Sequence, residues 1–166
     1  MTMFEIAAMN AADWYEVKTI YQAGLETRNA TFQTMVPSFS EWDSNHHSHS
    51  RLVAKKEGVV LGWCALMPTS SRHVYTGVAE ISIYVALNQQ GQGVGGLLMQ
   101  ALINESEKNE IWTISASIFP ENKASIHLHQ KYGFDVVGRR SKIAQLDGMW
   151  RDTVLLERRS NLEQFQ

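Results

Sequence analysis

The stretch Glu80-Ile81-Ser82-Ile83-Tyr84-Val85-Ala86-Leu87-Asn88-Gln89-Gln90-Gly91-Gln92-Gly93-Val94-Gly95-Gly96-Leu97-Leu98-Met99-Gln100-Ala101-Leu102 decides the fold. Its first six residues place Glu80, Ser82 and Tyr84 on one side and Ile81, Ile83 and Val85 on the other, the two-residue period of a strand. A polar turn follows, then four glycines in six positions: Gly91, Gly93, Gly95 and Gly96. From Val94 the period changes, and Val94, Leu97, Leu98, Ala101 and Leu102 fall on one helical face. A strand that passes through glycines into a helix start presents free backbone N–H groups at the positive end of a helix dipole. That is an anion site, and the expected anion is a phosphate or pyrophosphate. Each glycine costs backbone entropy, so four of them fit a ligand loop better than a simple turn.

Gly91, Gly93 and Gly96 formally match the dinucleotide fingerprint G-x-G-x-x-G. That fingerprint needs an acid about 20 residues on, at the end of the next strand, to hold a ribose. The next apolar run ends in Ser115-Ala116-Ser117-Ile118-Phe119, and the first acid, Glu121, lies beyond Pro120. The nucleotide-triphosphatase loop fails outright, because no glycine here is followed by Lys and Ser/Thr.

The remaining composition narrows the class. A chain of 166 residues with 44% hydrophobic and 19% charged residues is that of an ordinary globular protein, long enough to bury a sizeable core. The formal net charge of −2 points to neither a nucleic-acid nor an anionic-membrane partner. No apolar run approaches the ~20 residues of a membrane span. The start, Met1-Thr2-Met3-Phe4-Glu5-Ile6, has no basic segment leading into an apolar one, so the expectation is a cytoplasmic protein. Cys64 is the only cysteine, which excludes an intrachain disulfide, and its apolar setting Trp63-Cys64-Ala65-Leu66 reads as core.

Met3 to Ala8 reads as a first strand, and Asn10 caps a helix whose face is Trp14, Val17, Ile20, Tyr21 and Leu25. A mixed loop ends at Pro37, and Ser38-Phe39-Ser40-Glu41 is a capping box for a second helix. That helix is expected to carry Asn45-His46-His47-Ser48-His49 as a solvated end, with Asp43 the only acid beside the histidines and no metal site. Arg51–Lys56 and Val59–Met67 form a hairpin around Glu57-Gly58. After the helix that ends near Lys108 come a strand over 111–119 and a helix from Asn122 to Tyr132, stopped by Gly133. Strands over 134–143 and 149–158 are joined at Asp147-Gly148. The order β-α-α-β-β-β-α-β-α-β-β predicts an α/β fold, a mixed central sheet flanked by helices. Residues 1–160 read as one domain and 161–166 as a polar, frayed tail.

This order, with Gln90-Gly91-Gln92-Gly93-Val94-Gly95 and Asn122…Tyr132-Gly133-Phe134, resembles the GCN5-related N-acetyltransferase (GNAT) superfamily over nearly the whole chain. Within it the chain is most similar to the phosphinothricin and methionine sulfoximine acetyltransferases. That similarity rests on Ala30-Thr31-Phe32, on Arg72-x-x-Tyr75 leading into Glu80, on Pro120-Glu121-Asn122-x-x-Ser125, and on Gly148-x-Trp150-x-Asp152. The resemblance implies acetyl-CoA as acyl donor. Its arms would be met by Tyr84, Val85, Gln90, Gly91, Gln92, Gly93, Val94, Gly95, Gly96, Asn122 and Ser125. It also implies a homodimer in which two subunits build each site, with Trp150 and Asp152 at the interface or simply in a closing strand.

The chemistry asks for specific groups. An amine must lose a proton to attack a thioester, yet most amines are protonated near neutral pH. A carboxylate beside the amine takes that proton directly or through a water, and Glu80, on the strand entering the phosphate loop, is the candidate base. Main-chain N–H groups near Val85 supply an oxyanion donor if the strand splays there. Tyr132 offers a phenol to protonate the departing thiolate, although a core-packing role with Leu128 fits it equally. Arg72 offers a planar fork for an acceptor carboxylate, with His73, Tyr75, Thr31 and Phe32 completing a small pocket. The expected function is acetyl-CoA-dependent acetylation of the α-amine of a small amino-acid-like compound by direct transfer. A peptide or polyamine acceptor, or a non-catalytic acyl-CoA sensor, are the alternatives.

Overall fold

The structure, a computed structural model, describes residues 3–166. Its elements follow the expected order: β1 (Glu5–Ala8), α1 (Trp14–Glu26), α2 (Phe39–Asn45), β2 (Leu52–Lys56), β3 (Val59–Pro68), β4 (Val78–Val85), α3 (Val94–Lys108), β5 (Thr113–Ile118), α4 (Lys123–Lys131), β6 (Asp135–Leu146) and β7 (Met149–Arg159). The strands form one mixed sheet in the order β1-β2-β3-β4-β5-β7-β6, antiparallel except for the parallel β4–β5 pair.

The alternation along β4 sorts its side chains between two cores. Ile81, Ile83 and Val85 pack with Leu98, Met99 and Leu102 of α3 on one face of the sheet. Tyr84 faces α1 and α2 on the other, stacked on Trp63 at 5.1 Å between ring centroids and tilted against Tyr21 at 4.9 Å. The Trp63 and Trp42 side chains there are almost wholly buried. The loop entering α1 forms the Asn10–Asp13 capping box, and Ser38–Glu41 forms that of α2.

Two local expectations need correction. Helix α2 stops at Asn45 because His46 turns to extended backbone (φ −114°, ψ 153°), so His46, His47 and His49 lie beyond the helix and are half-buried, not solvated. His46 stacks on Trp42 at 4.3 Å and His47 on His49 at 4.7 Å, and burial holds all three below the usual histidine pKa. The C-terminal residues do not simply fray: Glu163–Phe165 form a 3-10 turn that brings Phe165 to 6.3 Å from the Trp112 ring.

Candidate active site

The site begins where β4 loses a partner. Strand β3 pairs with β4 all the way from Ala79 to Val85, whereas β5 pairs with it only over Val78–Glu80. Past Glu80 the two parallel strands part, and the backbone groups on that side of Ile81 to Val85 face a cleft instead of a neighbouring strand. Ala116, Ser117 and Ile118 of β5 form the opposite wall, and the cavity measures about 910 Å³. The splay expected near Val85 therefore starts five residues earlier, at the carboxylate itself.

The floor of the cleft is the glycine loop, and its four glycines divide into two pairs. Gly91 (φ 77°) and Gly93 (φ 86°) adopt left-handed backbone, with open space where a Cβ would be. Gly95 and Gly96 serve helix packing: a Cβ on Gly95 would lie 3.2 Å from Leu128, and one on Gly96 would lie 2.7 Å from the Tyr132 hydroxyl. The result is an α3 N-terminus in which only Val94, turned into the core, carries a side chain among residues 93–96, with its first N–H groups open to the cleft. A pyrophosphate fits this cradle, and an extended amide chain fits the unpaired edge of β4. Replacing Gly93 by Ala forces a side chain into the left-handed region at about 1–2 kcal/mol. It should weaken binding of a pyrophosphate-bearing ligand roughly five- to thirtyfold in calorimetry, at the rate of 1.4 kcal/mol per tenfold.

Asn122 joins three elements at the rim. Its side-chain oxygen accepts from the Ser125 N–H at 3.2 Å, capping α4, and its amide donates to Asn29 O at 3.1 Å, pinning the loop that carries Ala30-Thr31-Phe32. His129, buried below, has Nδ1 2.7 Å from Ser125 O. Of the residues singled out in the sequence, Thr31, Glu80, Tyr84, Val85, Gln90, Gly91, Gly93, Val94, Gly95, Gly96, Asn122 and Ser125 line this cavity. Gln92 and Tyr132 do not, although the Tyr132 hydroxyl overlies Gly96.

A second cavity of about 260 Å³ adjoins the first, sharing Ala30, Thr31, Glu80 and Ser117 with it. Phe32 and Phe119, edge to face at 5.0 Å, make one wall, and Arg140, Ala144 and Thr153 of the β6–β7 hairpin another. Glu80 thus stands at the junction of the two spaces. Burial raises its carboxyl pKa above the usual value, and the Arg140 guanidinium partly offsets that.

The loop expected to grip the acceptor lies elsewhere. Because Met67 pairs with Glu80 and Pro68 with Ala79, residues 69–77 run past the end of the sheet, beyond Glu80. Arg72, His73 and Tyr75 are exposed there, line neither cavity, and leave the Arg72 guanidinium 5.4 Å above the Tyr75 ring. The basic residue that does reach the side pocket, Arg140, was not singled out by its sequence. Its only mark is a place opposite Thr153, one residue from Asp152, which strand pairing makes visible.

The acetyltransferase (GNAT) family model matches residues 13–134. A phosphinothricin N-acetyltransferase from Streptomyces viridochromogenes is 30% identical over 158 residues, covering 93% of this chain and 86% of the relative. An L-methionine sulfoximine/L-methionine sulfone acetyltransferase from Pseudomonas aeruginosa is 33% identical over 100 residues, which cover 60% of this chain and 58% of that one. Among solved structures, a GNAT superfamily phosphinothricin acetyltransferase from Sinorhizobium meliloti in complex with AcCoA superposes with a TM-score of 0.85 at 26% identity, covering 94% of this chain and 88% of that one. With a splayed β4–β5 pair and a glycine-built anion cradle at α3, the chain belongs to the GNAT family and is an acetyl-CoA-dependent N-acetyltransferase.

Proposed function

We propose that this enzyme acetylates the α-amine of a small amino-acid-like acceptor, of the phosphinothricin, methionine sulfoximine or methionine sulfone type, by direct transfer. The observation that carries this reading is the position of Glu80, which lines both the large cleft and the 260 Å³ side pocket. The donor occupies the cleft and the acceptor the pocket, and the carboxylate between them takes the ammonium proton, directly or through one water.

Acetyl-CoA supplies an acetyl group activated as a thioester. The N–H groups of Gly91–Gly96 hold its pyrophosphate, and the unpaired edge of β4 near Val85 donates to the carbonyl oxygen as that oxygen gains charge. Tyr132, its hydroxyl held over the first turn of α3, returns a proton to the departing thiolate. Direct transfer is favoured by the state of the sole thiol: Cys64 is fully buried, and burial drives its pKa far above the ordinary thiol value. The same reading includes a cytoplasmic homodimer, with exposed Val136, Val137, Met149 and Trp150 on the β6–β7 hairpin as the shared surface.

The test is coenzyme A thiol release at pH 8 against methionine sulfoximine, methionine sulfone, phosphinothricin, ordinary amino acids, spermidine and a short peptide. Saturable turnover on the sulfoximine-like acceptors, retained in Cys64→Ala, is the expected result. Turnover confined to spermidine or peptide discards the acceptor class, and loss of activity in a folded Cys64→Ala enzyme discards direct transfer.

A further inference from the structure

Eight arginines occur in the chain, and six of them, Arg28, Arg51, Arg139, Arg151, Arg158 and Arg159, sit in ion pairs with carboxylates. Among the described residues, Arg72 and Arg140 have no carboxylate within ion-pair distance. Arg72 lies outside both cavities. Arg140 lines the side pocket, where its Nη2 donates to the Ser117 hydroxyl at 2.9 Å.

Glu80 lines the same pocket and senses the Arg140 charge, yet the two form no ion pair. Opposite charges held apart across a small cavity are the complement of a zwitterion, with an ammonium for Glu80 and a carboxylate for Arg140. A third group points the same way. Thr153 is only 4% exposed, its hydroxyl has no hydrogen-bond partner, and it borders the pocket directly opposite Arg140 in the β6–β7 register. A buried hydroxyl with unmet hydrogen-bonding capacity beside a guanidinium suits a ligand oxygen.

The backbone explains why Arg140 is free when its neighbour is not. The β6–β7 register breaks between Arg140 and Ala144, where Lys142 takes a left-handed conformation (φ 49°). Asp152 pins this bulge, accepting from the Lys142 N–H at 2.8 Å and from Arg139 at 2.7–2.8 Å. Arg139 is thereby spent on Asp152, and Arg140, on the alternate side of the strand, is delivered to the pocket.

We infer that Arg140, with the Thr153 hydroxyl beside it, reads the acceptor's α-carboxylate, so that the pocket selects free α-amino acids over amines that lack one. This deepens the proposed function and rests on its amino-acid reading, but it assigns the recognition to β6 and not to the Arg72 loop.

The test is calorimetric binding of methionine sulfone and of its α-carboxamide, in the presence of coenzyme A, to the wild-type protein, Arg140→Gln, Arg140→Lys and Arg72→Gln. Wild type should prefer the acid by about 10- to 100-fold, the range for a charge-assisted hydrogen-bond pair. Arg140→Gln should bind acid and amide alike, Arg140→Lys should keep a severalfold preference, and Arg72→Gln the full one. Unchanged acetyl-CoA affinity certifies that each variant is folded, and if the Gln variant fails that check the Lys variant decides. A full acid preference in the folded Arg140 variants, its loss in Arg72→Gln, or a wild type that binds neither compound or both equally overturns the inference. Acid-selective binding lost in Arg140→Gln but without acetylation when acetyl-CoA is added leaves the inference standing and refutes the proposed acceptor.

Discussion

Glu80→Gln is expected to lower kcat about a hundred- to ten-thousandfold, the usual range for removing a general base, while acetyl-CoA binds as before. The substitution keeps the shape and removes the proton acceptor. Binding should be spared because the proposed arrangement holds the donor on the glycine loop and the open strand edge, neither of which involves the Glu80 carboxylate. The pH profile gives a second signature. A base works only when deprotonated, so activity falls as pH drops through the Glu80 pKa, which burial places above the ordinary carboxylate value. The Gln variant should lose this acidic limb. Arg140→Gln, which removes the offsetting positive charge, should move the limb to higher pH. A Glu80→Gln enzyme with wild-type turnover would assign proton removal to another group.

The second large effect is on stability. Gly77 precedes β4, and a Cβ there would lie 2.0–2.3 Å from three atoms of the Trp112 indole. The same residue's carbonyl accepts from the N–H groups of Trp112 (2.8 Å) and Thr113 (3.1 Å), so neither backbone can easily retreat. Trp112 is also held from behind, by Phe165 and by the Ser160 N–H bond to its carbonyl at 2.8 Å. Gly77→Ala should cost about 3 kcal/mol, at the upper end of ordinary overpacking. At this chain length that lowers Tm by roughly 6–12 °C in a calorimetric scan. Adding Trp112→Leu should recover most of the loss, a coupling that only a direct clash produces. The three residue pairs that follow, Val78–Thr113 to Glu80–Ser115, are those that join β4 to β5, so Gly77→Ala should also slow turnover by loosening Glu80.

The strand, loop and helix over residues 80–102 were legible because their apolar period changes from two to 3.6 in one place, and that change survives without knowing any neighbour. The Asn10 cap, the Ser38–Glu41 capping box and the Asp147-Gly148 turn were legible for the same reason, since all their partners lie within three or four residues. The splay was not. Which strand leaves β4 unpaired past Glu80 depends on β5, some 30 positions away, and no local pattern encodes it. The glycine loop was read as one ligand cradle, yet Gly95 and Gly96 are bare because Leu128 and Tyr132 of the later helical segment press on them. Arg72 attracted attention by preceding β4 in sequence, whereas the β3–β4 register carries it past both cavities. Arg140 sits among charged residues that look alike in the sequence, and only a bulge fixed from the opposite strand distinguishes it from Arg139.

The parted strands have a consequence for the protein's survival between catalytic cycles. Beyond Glu80, β4 presents a strand edge to whatever enters the cleft, and such edges are where chains pair wrongly with one another. A donor seated there shields that edge and, by mass action, adds about 2.7 kcal/mol of stability at a hundred times its Kd. The enzyme's lifetime is thus coupled to the supply of its own fuel: a cell poor in acetyl-CoA would lose not only the reaction but, through proteolysis and clumping, the catalyst as well.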